Sequence, residues 1–292
     1  MKIIGLIGSP LAHSISPAFQ QAALDYLTID ARYELWETER EALAERVAGM
    51  RHPDCLGANV TVPYKELAIP LLDEIDPLAA RIGAVNTIVN RDGRLCGYNT
   101  DMTGFARALR QDSGFDPSGA QVVLLGAGGA GRAATMALVQ AKAASVTIFD
   151  IDVDKADCLV RDLASPAPGK TTLRAMAPGE ESLAAVMKKC QLLVNCTPIG
   201  MRHSKEEHDL PMPPELIHPG MLVFDIIYNP LETRFLAEAK RRRARTLSGL
   251  PMLVYQGAAS FELWTAVEAP LDVMFKAARK ALGLTAHKSS ED

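Results

Sequence analysis

The segment Gly126-Ala127-Gly128-Gly129-Ala130-Gly131 constrains this chain more than any other. An apolar run at 122–125 leads into it and a helical pattern follows, so it meets G-x-G-x-x-G in the strand-turn-helix setting that gives the pattern meaning. In such a loop Gly126 permits the tight turn, Gly128 lets backbone N–H groups approach a pyrophosphate, and Gly131 lets helix and strand pack closely. The helix N-terminus adds partial positive charge. The plainer alternative is a glycine-rich turn that holds no ligand.

The residues beyond continue the pattern. A strand is predicted at 121–125, a helix at 129–141, a strand at 145–149 and a helix at 155–163; apolar runs at 192–196 and 221–226 alternate with helices at 180–189 and 231–242. This is the layout of a Rossmann nucleotide domain. The strand at 145–149 runs into Asp150-Ile151-Asp152, which sets a carboxylate about 20 residues past the loop, where it accepts from adenosine ribose hydroxyls. A 2′-phosphate would meet the same carboxylates, so the expected cofactor is NAD, with NADP possible where Arg132 or Lys155 compensates. Alternatively, Asp150 or Asp152 simply caps the next helix.

At 292 residues the chain calls for two cores. The first hundred residues alternate short apolar runs (2–7, 32–36, 56–60) with helical patterns (17–27, 39–50), an α/β domain of its own. A hairpin over 84–98, turning at Asp92-Gly93, delivers the chain to Asn99-Thr100-Asp101. Thr100 or Asp101 is expected to cap the helix that follows. A breaker-rich stretch at 113–119 marks a boundary. The fold is therefore α/β with two domains, 1–112 and a Rossmann dinucleotide-binding domain at 119–249, followed by helices at 250–284 that are expected to return to the first domain and brace the cleft. Residues 289–292 are polar and expected to fray.

Composition excludes several partners. Hydrophobic residues at 48% supply a core, and a net charge of −4 lacks the basic excess that nucleic acid demands. The run Lys240-Arg241-Arg242-Arg243-Ala244-Arg245 ends a predicted helix, where cations meet the negative end of the dipole. No apolar run nears the roughly 18 residues of a membrane span. The five cysteines are scattered without a C-x-x-C pair and read as reduced thiols, so a cytoplasmic protein is expected, monomer or homodimer. His203 and His208 lack companion ligands, so no metal is expected. Met252, Phe261 and Trp264 read as core.

Two further segments carry chemistry-bearing side chains. Ser14 and Ser16 stand two residues apart before a helix, where they either grip a carboxylate or cap the helix. Asn59, Thr61 and Lys65 lie where the strand at 56–60 turns. Together with Gly83-Ala84-Val85-Asn86-Thr87, Asn99-Thr100-Asp101-Met102-Thr103-Gly104, Asn195-Cys196-Thr197-Pro198-Ile199-Gly200-Met201, Asp225-Ile226-Ile227-Tyr228-Asn229-Pro230 and the stretch from Gly249-Leu250-Pro251-Met252 through Tyr255-Gln256-Gly257-Ala258, these segments resemble the shikimate/quinate dehydrogenase family nearly end to end.

The resemblance implies an oxidoreductase that interconverts 3-dehydroshikimate and shikimate with a nicotinamide dinucleotide, in chorismate and aromatic amino-acid biosynthesis. It implies that 1–112 is the substrate-binding catalytic domain, with Lys65 and Asp101 as the catalytic pair, and Ser14, Ser16, Asn59, Thr61, Asn86, Tyr228 and Gln256 around the substrate. Gly126, Ala127, Gly128, Gly129, Ala130, Asp150, Asp152, Thr197, Ile226 and Gly249 would hold the cofactor. His13-Ser14-Ile15-Ser16 looks like the shikimate type. Asp150-Ile151-Asp152 departs from the Asn-Arg-Thr of NADP-using members and looks more like the NAD-using branch, which includes quinate dehydrogenases of catabolism. A dinucleotide-sensing protein without catalysis is the alternative from another class, and intact Lys65 and Asp101 speak against it.

Overall fold

Strands buried on both faces must sit inside a sheet covered by helices on each side, and the first apolar runs have that character. In the computed structural model, which describes residues 1–164, 171–177 and 179–284, β1 (Lys2–Gly8) is buried from Ile4 to Gly8 and β3 (Cys55–Val60) at every position but Leu56. Between them lie α1 (Ser16–Tyr26), β2 (Ala31–Glu37) and α2 (Leu43–Gly49). The chain continues through β4 (Glu74–Ile75), α3 (Pro77–Ile82), β5 (Thr87–Arg91) and β6 (Arg94–Tyr98). These strands form a six-stranded sheet in the order β2-β1-β3-β5-β6-β4, with β1, β2 and β3 parallel and β5 antiparallel to both neighbours. The expected hairpin is present. Both turn residues, Asp92 and Gly93, take positive φ (53° and 86°), which matches the twist of paired strands.

The second half runs α4 (Asp101–Asp112), β7 (Gln121–Leu125), α5 (Gly129–Gln140), β8 (Ser145–Phe149), α6 (Val153–Leu163), β9 (Thr172–Met176), α7 (Glu180–Met187), β10 (Leu192–Asn195), β11 (Leu222–Asp225), α8 (Arg234–Arg241), β12 (Arg245–Leu247), α9 (Leu250–Thr265) and α10 (Leu271–Ala281). Its six strands are all parallel in the order β9-β8-β7-β10-β11-β12. The order reverses between β7 and β10, and ligands of such sheets bind outside the strand ends at that point. The short strands β4, β9 and β12 and the helix α3 were not anticipated from the sequence. Residues 289–292, expected to fray, lie outside the described residues.

One core joins the two domains: Ile82 of α3 and Met102 and Phe105 of α4 pack with Val122, Leu124 and Phe224 of the second sheet, and the Phe105 and Phe224 rings stack at 5.1 Å. The terminal helices return as expected: α9 packs on α4, Trp264 donates to the Ile88 carbonyl of β5 at 2.9 Å, and Met274 and Ala278 of α10 close over Phe19 and Ala23 of α1. The expected side-chain cap on α4 is corrected. Neither Thr100 nor Asp101 accepts from its first amides; Asn99 does, taking Met102 N–H at 3.2 Å, because the other two side chains are engaged in the site.

Candidate active site

The C-terminal ends of β1 and β3 lie side by side, with Ile7 paired to Val60, so the loops that follow them meet. The second of these loops places Lys65, whose backbone is fixed by Val85 N–H donating to its carbonyl at 2.7 Å. The Lys65 Nζ stands 2.6 Å from Asp101 Oδ2, with side chains only 14% and 7% exposed. Asp101 opens α4, where the helix dipole favours a carboxylate, and its Oδ1 accepts from Asn86 Nδ2 at 3.0 Å. A cation and an anion this close and this dry hold each other in one geometry.

Beneath the pair lies a buried floor of polar side chains. Asn86 Nδ2 also reaches Thr100 Oγ1 at 2.8 Å and Gln256 Oε1 at 3.2 Å, and its Oδ1 accepts from Thr100 N at 2.7 Å. Asn59 Nδ2 donates to the Asn86 carbonyl, Thr87 Oγ1 and Ser260 Oγ, while its Oδ1 accepts from Tyr33 at 2.8 Å. Burial pushes the Tyr33 phenol far above its usual range, so it stays the donor. Ser260, fully buried on α9, ties Thr87 (2.7 Å) to Thr100 (3.0 Å). Thus Asn59, Asn86 and Gln256, all anticipated, have their amides engaged within the protein. Tyr33, Thr87, Thr100 and Ser260 were missed. For Ser260 a signal existed: it falls four residues after Gln256, on the same helical face.

The remaining anticipated substrate residues form a rim. The hydroxyls of Ser16 and Thr61 have no protein partner among the described residues. Ser14 Oγ accepts from Ser16 N–H at 3.3 Å, and neither serine caps α1 in the ordinary way, since its N-cap is Ile15 without a side-chain bond. The Ser14 hydroxyl also stands by the Tyr228 phenol, partly offsetting the burial that pushes that phenol up. An unanticipated contact joins the two halves nearby: the rings of His13 and His203 stack with centroids 4.2 Å apart.

On the other half, the glycines sort by what a side chain would meet. Gly126 takes φ +97°, and a Cβ at Gly131 would stand 2.1 Å from the Gly126 carbonyl oxygen, so turn and packing need both. Gly128 is exposed, and a Cβ there meets nothing within 4 Å: the space a pyrophosphate would fill is open, at the N-terminus of α5. Gly129 faces the other domain, where a Cβ would stand 3.0 Å from Lys65 Cδ. The loop therefore fits a dinucleotide and abuts Lys65; Ala127 and Ala130 flank these glycines.

The two acids beyond β8 divide their duties. Asp152 caps α6, accepting from Lys155 N–H, whereas Asp150 turns back to the loop and accepts from Ala127 N–H at 2.7 Å. Arg132, weighed as a partner for a 2′-phosphate, is corrected: it is buried, donating to the Ile82 carbonyl and pairing with Asp162 at 2.6 Å. Lys155 is exposed and lies 4.0 Å from Asp152.

The wall opposite is built on Asp225, fully buried at the end of β11. It accepts from Asn195 Nδ2, Ile227 N–H and Thr233 Oγ1, and Asn195 in turn accepts from Thr197 N–H and its hydroxyl. Desolvation pushes the Asp225 carboxyl up to about 6, against these bonds. Thr197 borders Gly126, and Gly249 lies against the Ile226 carbonyl, so the anticipated cofactor residues Thr197, Ile226 and Gly249 sit along the strand ends. Burial pushes the thiol of Cys196, between them, up, which disfavours its thiolate. Among the described residues no group of three or more His, Cys, Asp or Glu is placed to hold a metal, and no helix is long and apolar enough to cross a membrane.

The family model described as the shikimate dehydrogenase substrate binding domain matches residues 6–88, and that of the shikimate 5′-dehydrogenase C-terminal domain matches 249–279. A protein of Moorella thermoacetica named shikimate dehydrogenase (NADP(+)) is 45% identical over 284 residues, 96% of this chain and 94% of its own. The crystal structure of shikimate 5-dehydrogenase from Thermus thermophilus with NADP(H) and shikimate is 39% identical, covers 97% of this chain and 100% of that one, and gives a TM-score of 0.84. Quinate dehydrogenase from Corynebacterium glutamicum with NAD is 29% identical, covers 94% of this chain and 98% of that one, and gives 0.83.

Proposed function

The chain belongs to the shikimate dehydrogenase family, and from that premise we propose that it interconverts 3-dehydroshikimate and shikimate in chorismate biosynthesis, with NAD preferred as its nicotinamide cofactor. The observation that carries the reading is the Lys65–Asp101 pair, 2.6 Å apart, set against the glycine-rich loop. When bound there, the dinucleotide supplies or accepts the hydride. The Lys65 ammonium donates a proton to the ketone oxygen as the alcohol forms and stabilises negative charge on that oxygen meanwhile. Asp101 orients the ammonium and accepts from a ring hydroxyl; the two titrate as one unit. The hydroxyls of Ser14, Ser16 and Thr61 grip the substrate directly, Tyr228 stands behind Ser14, and Asn59, Asn86 and Gln256 hold the floor. Hydroxyl-for-hydroxyl recognition of this kind rejects an analogue that lacks a hydroxyl.

The NAD preference rests on Asp150, a carboxylate at the ribose position, and on Arg132 being engaged elsewhere, which leaves only Lys155 of these two cations to meet a 2′-phosphate. The relatives named for NADP(+) set the opposing expectation, and the NAD-bound quinate dehydrogenase keeps the catabolic reaction as the second reading. Initial rates with shikimate and quinate, each with NAD⁺ and NADP⁺, separate these. Highest kcat/KM for shikimate with NAD⁺ is expected; an NADP⁺ preference overturns the Asp150 argument, quinate dominance favours the second reading, and inactivity with all four pairs refutes the proposal. The proposed division of the chain is 1–112 for substrate and catalysis, 119–249 for the cofactor and 250–284 as the brace.

A further inference from the structure

We infer that Gly129 positions Lys65: it stays bare so that the lysine stem can lie across the mouth of the dinucleotide loop, and a side chain there would move the ammonium off Asp101. The inference rests on Lys65 and Asp101 being the reacting pair. A Cβ at Gly129 would stand 3.0 Å from Lys65 Cδ and 3.2 Å from Lys65 Cβ, with Ala84 Cβ at 3.7 Å. The first two distances are inside the roughly 3.5–4.0 Å at which carbon atoms rest.

The other glycines of the loop have their own reasons: a left-handed turn at Gly126, helix-strand packing at Gly131, open space at Gly128. The G-x-G-x-x-G spacing does not ask for glycine at position 129. As the first residue of α5 it has no positive φ, so alanine fits its backbone and is the better helix former. What opposes a side chain is the lysine. Its stem is held at both ends, by Val85 N–H on its carbonyl and by Asp101 on its ammonium, and Asp101 is itself held by Asn86. Crowding in the middle of a stem so anchored displaces the end that must reach the reacting oxygen, and small misplacements of a reacting group cost rate steeply. The cofactor domain thus shapes the reacting centre of the other domain by withholding one methyl group.

The test uses the full chain with Gly129→Ala, Gly128→Ala, Lys65→Ala and the double variant Lys65→Ala/Gly129→Ala, measuring kcat, NADH dissociation constant and thermal unfolding. For Gly129→Ala, kcat should fall about tenfold or more while the NADH dissociation constant stays within about threefold. Gly128→Ala, where the open space is for the pyrophosphate, should instead raise the NADH dissociation constant. Unchanged kcat in Gly129→Ala beside an inactive Lys65→Ala overturns the inference, as does a loss confined to NADH affinity. Near-normal turnover of Lys65→Ala instead refutes the catalytic pair, and this inference with it. Should Gly129→Ala fold poorly, the double variant decides: folding restored by removing the lysine stem supports the contact, and continued misfolding overturns it.

Discussion

The floor beneath Lys65 and the loop that faces it solve opposite problems with opposite materials. The floor is made of side chains: Asn59, Asn86, Thr87, Thr100, Gln256 and Ser260 exchange hydrogen bonds in the near absence of water. The loop is made of backbone and of side chains left out, with Gly126, Gly128, Gly129 and Gly131 each bare for a separate reason. A polyhydroxylated ring is told from its analogues by directed donors and acceptors, which must be rigid to discriminate. A pyrophosphate needs N–H groups and room to approach. The floor should therefore be costly to alter atom by atom, and the loop sensitive to added bulk.

The contrast sharpens most at the reacting pair. Lys65→Ala should lower kcat by about 10²–10⁴-fold in steady-state assays, and Asp101→Ala should approach the same loss without adding to it in the double variant. Additive losses would break the picture of one unit. Next comes Ser260→Ala, which removes the buried hydroxyl shared by Asn59 Nδ2, Thr87 Oγ1 and Thr100 Oγ1; a destabilisation of about 2 kcal/mol by denaturant titration is expected, with KM for substrate raised. A neutral outcome would mean that the floor is not a framework.

Asp225 offers a test on the cofactor side. Its carboxyl is raised in the folded protein to about 6, so the folded state binds the proton more tightly than the unfolded chain does. Stability from this group is then present at low pH and lost as pH rises from about 4 through about 6, on the order of 3 kcal/mol in all. Asp225→Asn should remove that loss, and the difference between variant and wild type in urea unfolding should change with this sign between pH 4 and 7. The smallest effect is expected at Arg241, exposed on α8 and paired with Glu238 at 2.8 Å: Arg241→Ala should shift stability by less than about 0.5 kcal/mol.

The same contrast explains what the sequence discloses. The glycine loop is legible because its demands are local: a turn, an approach and a packing contact within a few residues. The strands β7, β8, β10 and β11 are legible as apolar runs, and α5, α6 and α7 as the helical patterns between the first three of them. The floor is legible only in part. Asn59, Asn86, Asp101 and Gln256 emerge through the family resemblance, but Tyr33 reaches Asn59 across 26 residues and Ser260 reaches it across 201, and no periodicity carries such pairings. Arg132 seemed free for a phosphate because its sequence position, one residue past Gly131, says nothing of the Ile82 carbonyl in the other domain. β4 and β12 have two and three residues, too few for alternation to register, and β9 contains an arginine where an apolar run would be read.

The central claim is that chemistry belongs to the first domain and cofactor binding to the second. NADH fluorescence titration of the wild type, Lys65→Ala and Asp150→Ala tests it directly. The expected result is a dissociation constant within about threefold of wild type for Lys65→Ala and raised roughly tenfold for Asp150→Ala, the loss of one charged hydrogen-bonding group. An intact affinity in Asp150→Ala together with a large loss in Lys65→Ala would contradict the account.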